Sequence, residues 1–174
     1  MQTSYSQNPA AGQLGLLADS SPSRIVTGFS DAVIPWGRMV SYDAAQDKVK
    51  LPAAATDISD ANSESRPVAG IVVASKALEE QPANTLGVAD ADVPAYPALT
   101  AFSVIRQGVI WVWSEQAVAP TDQVFVRHTA SGNEKPGNFR KDADTANATL
   151  LQGARFMTET AAAGLVQVEI NLTN

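Results

Sequence analysis

The chain has 174 residues, 45% hydrophobic and 17% charged, which is enough apolar matter for one compact domain and too few charges for a disordered polymer. Eighteen acidic residues against twelve basic give a net charge of −6, shared equally by the two halves. No cationic cluster offers a footprint for phosphates, so nucleic acid and anionic membranes are excluded as expected partners.

The first 18 residues carry no charged side chain and mix Gln, Ser, Asn and Gly with Tyr5, Pro9, Leu14, Leu16 and Leu17. Helical periodicity is absent, and Pro9 with two glycines favours an extended arm over 1–23. At about 3.4 Å per residue the first 18 residues alone reach on the order of 60 Å, which suits adding a strand to a neighbour's sheet or lying in a groove. Three leucines in four positions favour an ordered contact over a frayed tail. No basic, apolar leader is present and no stretch reaches the length of a membrane span, so the expected product is soluble and cytosolic.

From Arg24 onward, short strand-like runs alternate with Gly, Pro, Asn and Asp. Lys48 to Leu51 and Val166 to Leu172 alternate at period two, the mark of half-buried strands. Further runs at 24–29, 37–42, 67–74, 101–106, 109–114, 123–128 and 149–157 bring the total to about nine, with little helix beyond a turn at 76–81. The expectation is an all-β domain over 24–174, a jelly roll, sandwich or barrel, with a long surface loop at 52–66. Gly108 to Trp113 is apolar on both faces and must be covered twice, by the core and by either its own loops or a partner subunit. Ala161 to Gly164 reads as a hairpin connection.

Chemistry finds little purchase. Cysteine is absent, which removes disulfides and thiolate metal sites, and His128 is the single histidine, placed at a strand end. Asp90 to Asp92 and Asp142 to Asp144 open like calcium loops, but Pro94 and Ala146 stand where a third oxygen ligand belongs, so solvated loop carboxylates are expected. Glu79, Glu80, Glu115, Glu159 and Glu169 have no spacing that pairs them across a cleft. Neither a nucleophile elbow nor a phosphate-binding glycine loop occurs. No enzyme activity, metal or cofactor is expected.

The ordered set Met1 to Ser6, Asn8 to Gly12, Ile34 to Arg38, Gly70 to Val73, Arg106 to Val112, Asn138 to Arg140, Gly153 to Phe156 and Leu165 to Leu172 resembles the structural cement proteins of tailed bacteriophages. The resemblance spans essentially the whole chain. It implies a capsid decoration protein, made in the host cytoplasm, that binds major capsid protein on the outer face of an HK97-type shell and bridges capsomers. It further implies a symmetric dimer or trimer. On that reading Tyr5, Pro9, Leu14, Leu16 and Leu17 contact the capsid or a sister subunit, and Trp36, Trp111 and Trp113 anchor the core or an interface. A carbohydrate-binding or host-adsorption module is the competing reading and requires tryptophans facing solvent on one platform. A carboxylate hydrolase ranks behind both.

Overall fold

The computed structural model describes residues 12–19, 22–43, 48–59, 68–75 and 93–172. Its strands are β1 (Arg24–Ser30), β2 (Ile34–Pro35), β3 (Met39–Asp43), β4 (Lys48–Lys50), β5 (Val68–Val72) and β6 (Ala95–Tyr96), followed by β7 (Thr100–Ser114) and β8 (Phe125–Arg127). The chain then forms β9 (Phe139–Arg140), β10 (Ala148–Leu150), β11 (Ala154–Phe156) and β12 (Gly164–Asn171), with one helical turn, α1 (Thr56–Ser59), between β4 and β5. Ten strands make one sheet in the order β10-β8-β9-β7-β5-β3-β4, with β1 and β12 also on β7 and β11 on β12, while β2 and β6 pair separately. The expected all-β class is what the chain adopts. Among the described residues no helix is long and apolar enough to cross a membrane.

β7 is the spine. The two runs expected at 101–106 and 109–114 are one strand of 15 residues. β1 pairs with it antiparallel from Thr100 to Gln107 and β12 from Gln107 to Ser114. β5 pairs at Val104 and Ile105, and β9 joins in parallel at Ser114. Gly108, at a φ of 131°, marks a change of face: Phe102 and Val104 point into one core, while Ile110 and Val112 point into the other. The strand therefore serves two cores in succession.

Those cores lie on opposite faces of the sheet's centre. Met39, Val68, Ile71 and Ile105 pack with Phe139 and Phe156, whereas Val40, Ala69, Val72 and Val104 pack with Trp36 and Tyr96. Adjacent residues serve different cores because successive side chains in a strand point to opposite faces. β5 has no polar face at all. A bulge beside Ala69 shifts its register against β3, since Val40 faces Gly70 and Ser41 faces Val68. Within the expected surface loop 52–66, α1 drives Ile58 into the first core, where it is fully buried. The expected turn at 76–81 lies outside the described residues, and Ala161 to Ala163 do connect the antiparallel partners β11 and β12.

Gly70 is the tightest point of the sheet. Its φ is 141°, and a Cβ there would lie 2.2 Å from the Ile105 carbonyl oxygen. Neither the conformation nor the contact tolerates a side chain. Gly70→Ala is expected to cost roughly 3 kcal/mol or more, measured by chemical denaturation; an unchanged midpoint would show that the bulge relaxes freely.

Candidate functional site

Two features organise the functional reading: the N-terminal segment laid along β7, and a charge cluster at the far end of the same strand. In the first, the Gly15 amide donates to the Trp111 carbonyl at 2.8 Å, the Trp111 amide to Leu16 at 2.9 Å, and the Ala18 amide to Val109 at 2.8 Å. The Ala74 amide donates to Gly15 at 2.8 Å, so the segment also closes onto the chain leaving β5. Gly12 lies flat on the Trp111 indole, where a Cβ would come within 2.2 Å of the ring. Thus part of the second cover for 108–113 comes from this chain itself.

The leucines of this segment have different fates. Leu14 is 3% exposed and packs on Gly37, whose backbone, at a φ of 67°, leaves the space. Leu16 is half-buried, and Leu17, bridged to Ile110, is 38% exposed. Tyr5 and Pro9 lie outside the described residues. Trp36 is buried, with its ring 6.2 Å from Tyr96, while Trp111 and Trp113 are half-buried on a shared face of β7. The Tyr96 ring stacks in turn on Phe102 at 5.2 Å.

Sequence reasoning missed the second feature. Arg127 ends β8 with a fully buried side chain. Its Nε donates to both Glu115 oxygens at 2.9 Å, Nη1 donates to the Thr129 carbonyl at 3.1 Å, and Nη2 donates to Asp144 at 2.7 Å and also to Glu134. Arg140, ending β9, donates from Nη2 to Asp142 at 2.7 Å and from Nη1 to Glu115 at 3.3 Å, and pairs with Asp144 at 3.1 Å. Two guanidiniums thus occupy four carboxylates. The Asp142 and Asp144 carboxylates, expected to be merely solvated, hold the loop after β9 against these arginines. Asp90 and Asp92 lie outside the described residues. The legible signal was an arginine closing each of two apolar strands, Val124 to Arg127 and Phe139 to Arg140.

Desolvating a guanidinium costs several kcal/mol, and only a full set of partners offsets it. Burial pushes the Glu115 carboxyl above its ordinary value despite the pull of Arg127 and Arg140. Asp142 is held below its ordinary value first by the 2.9 Å hydrogen bond from Gln116, then by the Asp144 amide and Arg140, and Asp144 first by the hydrogen bond from Arg127. Next to the cluster, His128 is 7% exposed; its Nδ1 sits 2.9 Å from the Thr129 hydroxyl, and its Nε2 has no hydrogen-bond partner among the described residues. Burial, then Arg127, lowers its affinity for a proton, against the opposing charge of Asp57. Among the described residues no group of His, Cys, Asp and Glu is arranged to hold a metal ion.

Fold and site together define a β-built structural protein whose buried charges brace its loops. The family described as structural cement protein (E217 gp24/Pam3 gp6) matches residues 1–171, and the chain belongs to it: a capsid-associated structural protein of bacteriophages. A chain of the capsid of Myoviridae phage XM1 has the same fold, with a TM-score of 0.62 at 19% identity over 98% of this chain and 97% of that one. The N base of head fiber gp8.5 of bacteriophage phi29 aligns at a TM-score of 0.46 and 12% identity, covering 88% of this chain and 98% of that one. No curated protein matches.

Arg127→Ala leaves Glu115 buried without its main partner and is expected to cost about 3–5 kcal/mol in denaturant unfolding. Arg127→Lys should recover little, because an ammonium cannot reproduce the fork. Stability should fall in two stages on acidification. The unfolded chain takes up the His128 proton first, so the loss begins as the pH drops below the ordinary histidine value of 6.5. Asp142 and Asp144, held below the ordinary 3.8, give the second stage as the pH falls past that value, whereas Glu115, raised by burial, acts in the opposite sense and earlier, adding stability as it protonates above its ordinary 4.5. Melting curves across pH should show both stages, and His128→Gln should remove the first alone.

Proposed function

We propose that this protein binds the outer surface of an HK97-type phage shell through its major capsid protein and stabilises the shell by bridging neighbouring capsomers. The family match across residues 1–171 carries the reading. Pressure from packaged DNA pulls capsomers apart, and a clamp across their seam resists if opening the seam breaks its contacts. Many copies on one symmetric shell act together, so each needs only modest affinity. The work is mechanical, with no bond made or broken. A net charge of −6 keeps a crowded exterior soluble and disfavours packaged DNA as a partner.

The physical properties of the N-terminal segment support its role as the reaching part. Residues 12–18 tie it to β7 by backbone hydrogen bonds, and the eleven residues before Gly12 have no charged side chain. Tyr5 and Pro9 are assigned to the contact with the shell or a sister subunit, with Leu17 at its exposed base. Leu14 and Leu16 secure the anchorage. Trp36 and Trp111 act in core and anchorage, and Trp113 extends the same face. A symmetric dimer or trimer completes the proposal.

Removing residues 2–11 leaves the β7 anchorage intact and should abolish binding to expanded heads without changing the melting temperature. Co-sedimentation with heads measures this. Full occupancy by the shortened chain would defeat the assignment of the arm, and failure of the intact chain to sediment with any expanded head would defeat the shell reading itself.

A further inference from the structure

The end of the body at Thr100 is built from two short connections held side by side. Asp31, Ala32 and Val33 join β1 to β2, and Pro97, Ala98 and Leu99 join β6 to β7. On one side of them Ser30 pairs with Thr100, and on the other Ile34 pairs with Tyr96. The Leu99 amide donates to the Ser30 carbonyl at 2.8 Å and the Ala32 amide to the Ser30 hydroxyl at 3.1 Å, so both turns are fixed to the same point. The pairs that hold them are rooted in a core, since Ile34 and Tyr96 are buried beside Trp36. All six connecting residues are exposed, and five of them are apolar. The sixth, Asp31, is neutralised by Lys48. Val33 and Leu99, at 57% and 70%, are the most exposed large apolar side chains among the described residues. Leu99 also has a φ of 62°, a left-handed conformation that glycine or asparagine adopts at less cost. A rigid, uncharged tip that keeps a strained leucine outside the fold is explained by a contact beyond it.

We infer that this tip is a second hold on the shell, seated in an uncharged, apolar pocket of major capsid protein across the seam from the contact made by the arm. The inference deepens the proposed bridging, and rests on that reading, by naming the surface that completes the clamp. Chain direction carries it. From Gly15 at Trp111, through Ala18 at Val109 and Arg24 at Gln107, to Ser30 at Thr100, the chain runs antiparallel down the length of β7. Residues 1–11 are therefore attached at one end of the strand, while Val33 and Leu99 stand at the other. The rise from Leu99 to Trp111 parts the two by up to about 40 Å. A clamp loaded in tension needs two separated holds, because a body held by its arm alone simply follows one capsomer. Size selects the occupant. Six residues fall well short of the roughly 20–30 a side that a stable pair of proteins uses, so the tip is too small to hold a second copy by itself. A weak contact suffices where the arm already tethers the chain, since the tether raises its effective concentration. A tip ordered in advance also loses little freedom on seating.

Expanded heads decorated with the full chain test the inference, with occupancy read by co-sedimentation and protection by the temperature at which the heads release DNA. Val33→Ser combined with Leu99→Asn removes both apolar groups and suits the left-handed backbone, so the melting temperature of the free chain should hold or rise. Its affinity for heads should fall by about tenfold or more, and equally at low and high salt, because the lost contact is uncharged. Protection should be lost even at concentrations that restore full occupancy. Leu99→Met keeps the apolar bulk and should keep both binding and protection. A photo-crosslinking side chain in place of Val33 should join the chain to major capsid protein. A double variant that binds and protects like the wild type, a loss that vanishes in high salt, or cross-links formed only between copies of this chain would each overturn the inference. The wild type run alongside separates the two failures: a wild type that binds no head sinks the shell reading and the tip contact with it, whereas full binding and protection by the variant sinks the tip contact alone.

Discussion

Both edges of β7 must find backbone partners, and the architecture follows from how they are shared. A strand of 15 residues is far longer than the elements around it, so no single neighbour can satisfy it. β1 and β12 divide its length between them, while β5, the N-terminal segment and β9 attach at separate stations opposite. An unpaired buried amide or carbonyl costs about as much as a lost hydrogen bond. Elements distant in sequence are thus tied to one another through a single strand, and Gly108 lets that strand serve a core on each face of the sheet.

The two ends of β7 are chemically different. Near Ser114, Arg127 and Arg140 gather four carboxylates from three stretches of chain, fixing loops too short and too polar to pack by burial alone. Near Thr100, the surface is apolar and includes the strained Leu99. A fully extended strand of this length separates the two regions by at most about 46 Å. Such a division suits a cement protein, since one region holds the body rigid and the other is available for contact. The negative excess stays outside both cores.

Much of the fold was legible because strand burial imposes period two: Val166, Val168 and Ile170 could alternate with polar residues for no other reason. The hairpin ending at Gly164 was equally plain. The continuity of β7 was not, because Gln107-Gly108 looks like a turn until partners on both sides hold it extended. Leu14 and Leu17 look alike in sequence, yet one packs on Gly37 and the other reaches solvent. The carboxylates Asp142 and Asp144 looked solvated because their partners are strand-end arginines, one of them 17 residues away.

From its sequence alone, this protein is an acidic, cysteine-free, β-built chain with an uncharged beginning, and its ordered motifs resemble the cement family. Composition and local periodicity determine these properties because they depend on residues adjacent in the chain. Tertiary structure alone decided that one strand carries both cores, that two arginines consume four carboxylates, and that the apolar surplus is exposed along β1 and at Leu99. Each of those is a long-range pairing, set by which strands share an edge, and no spacing along the chain encodes that choice.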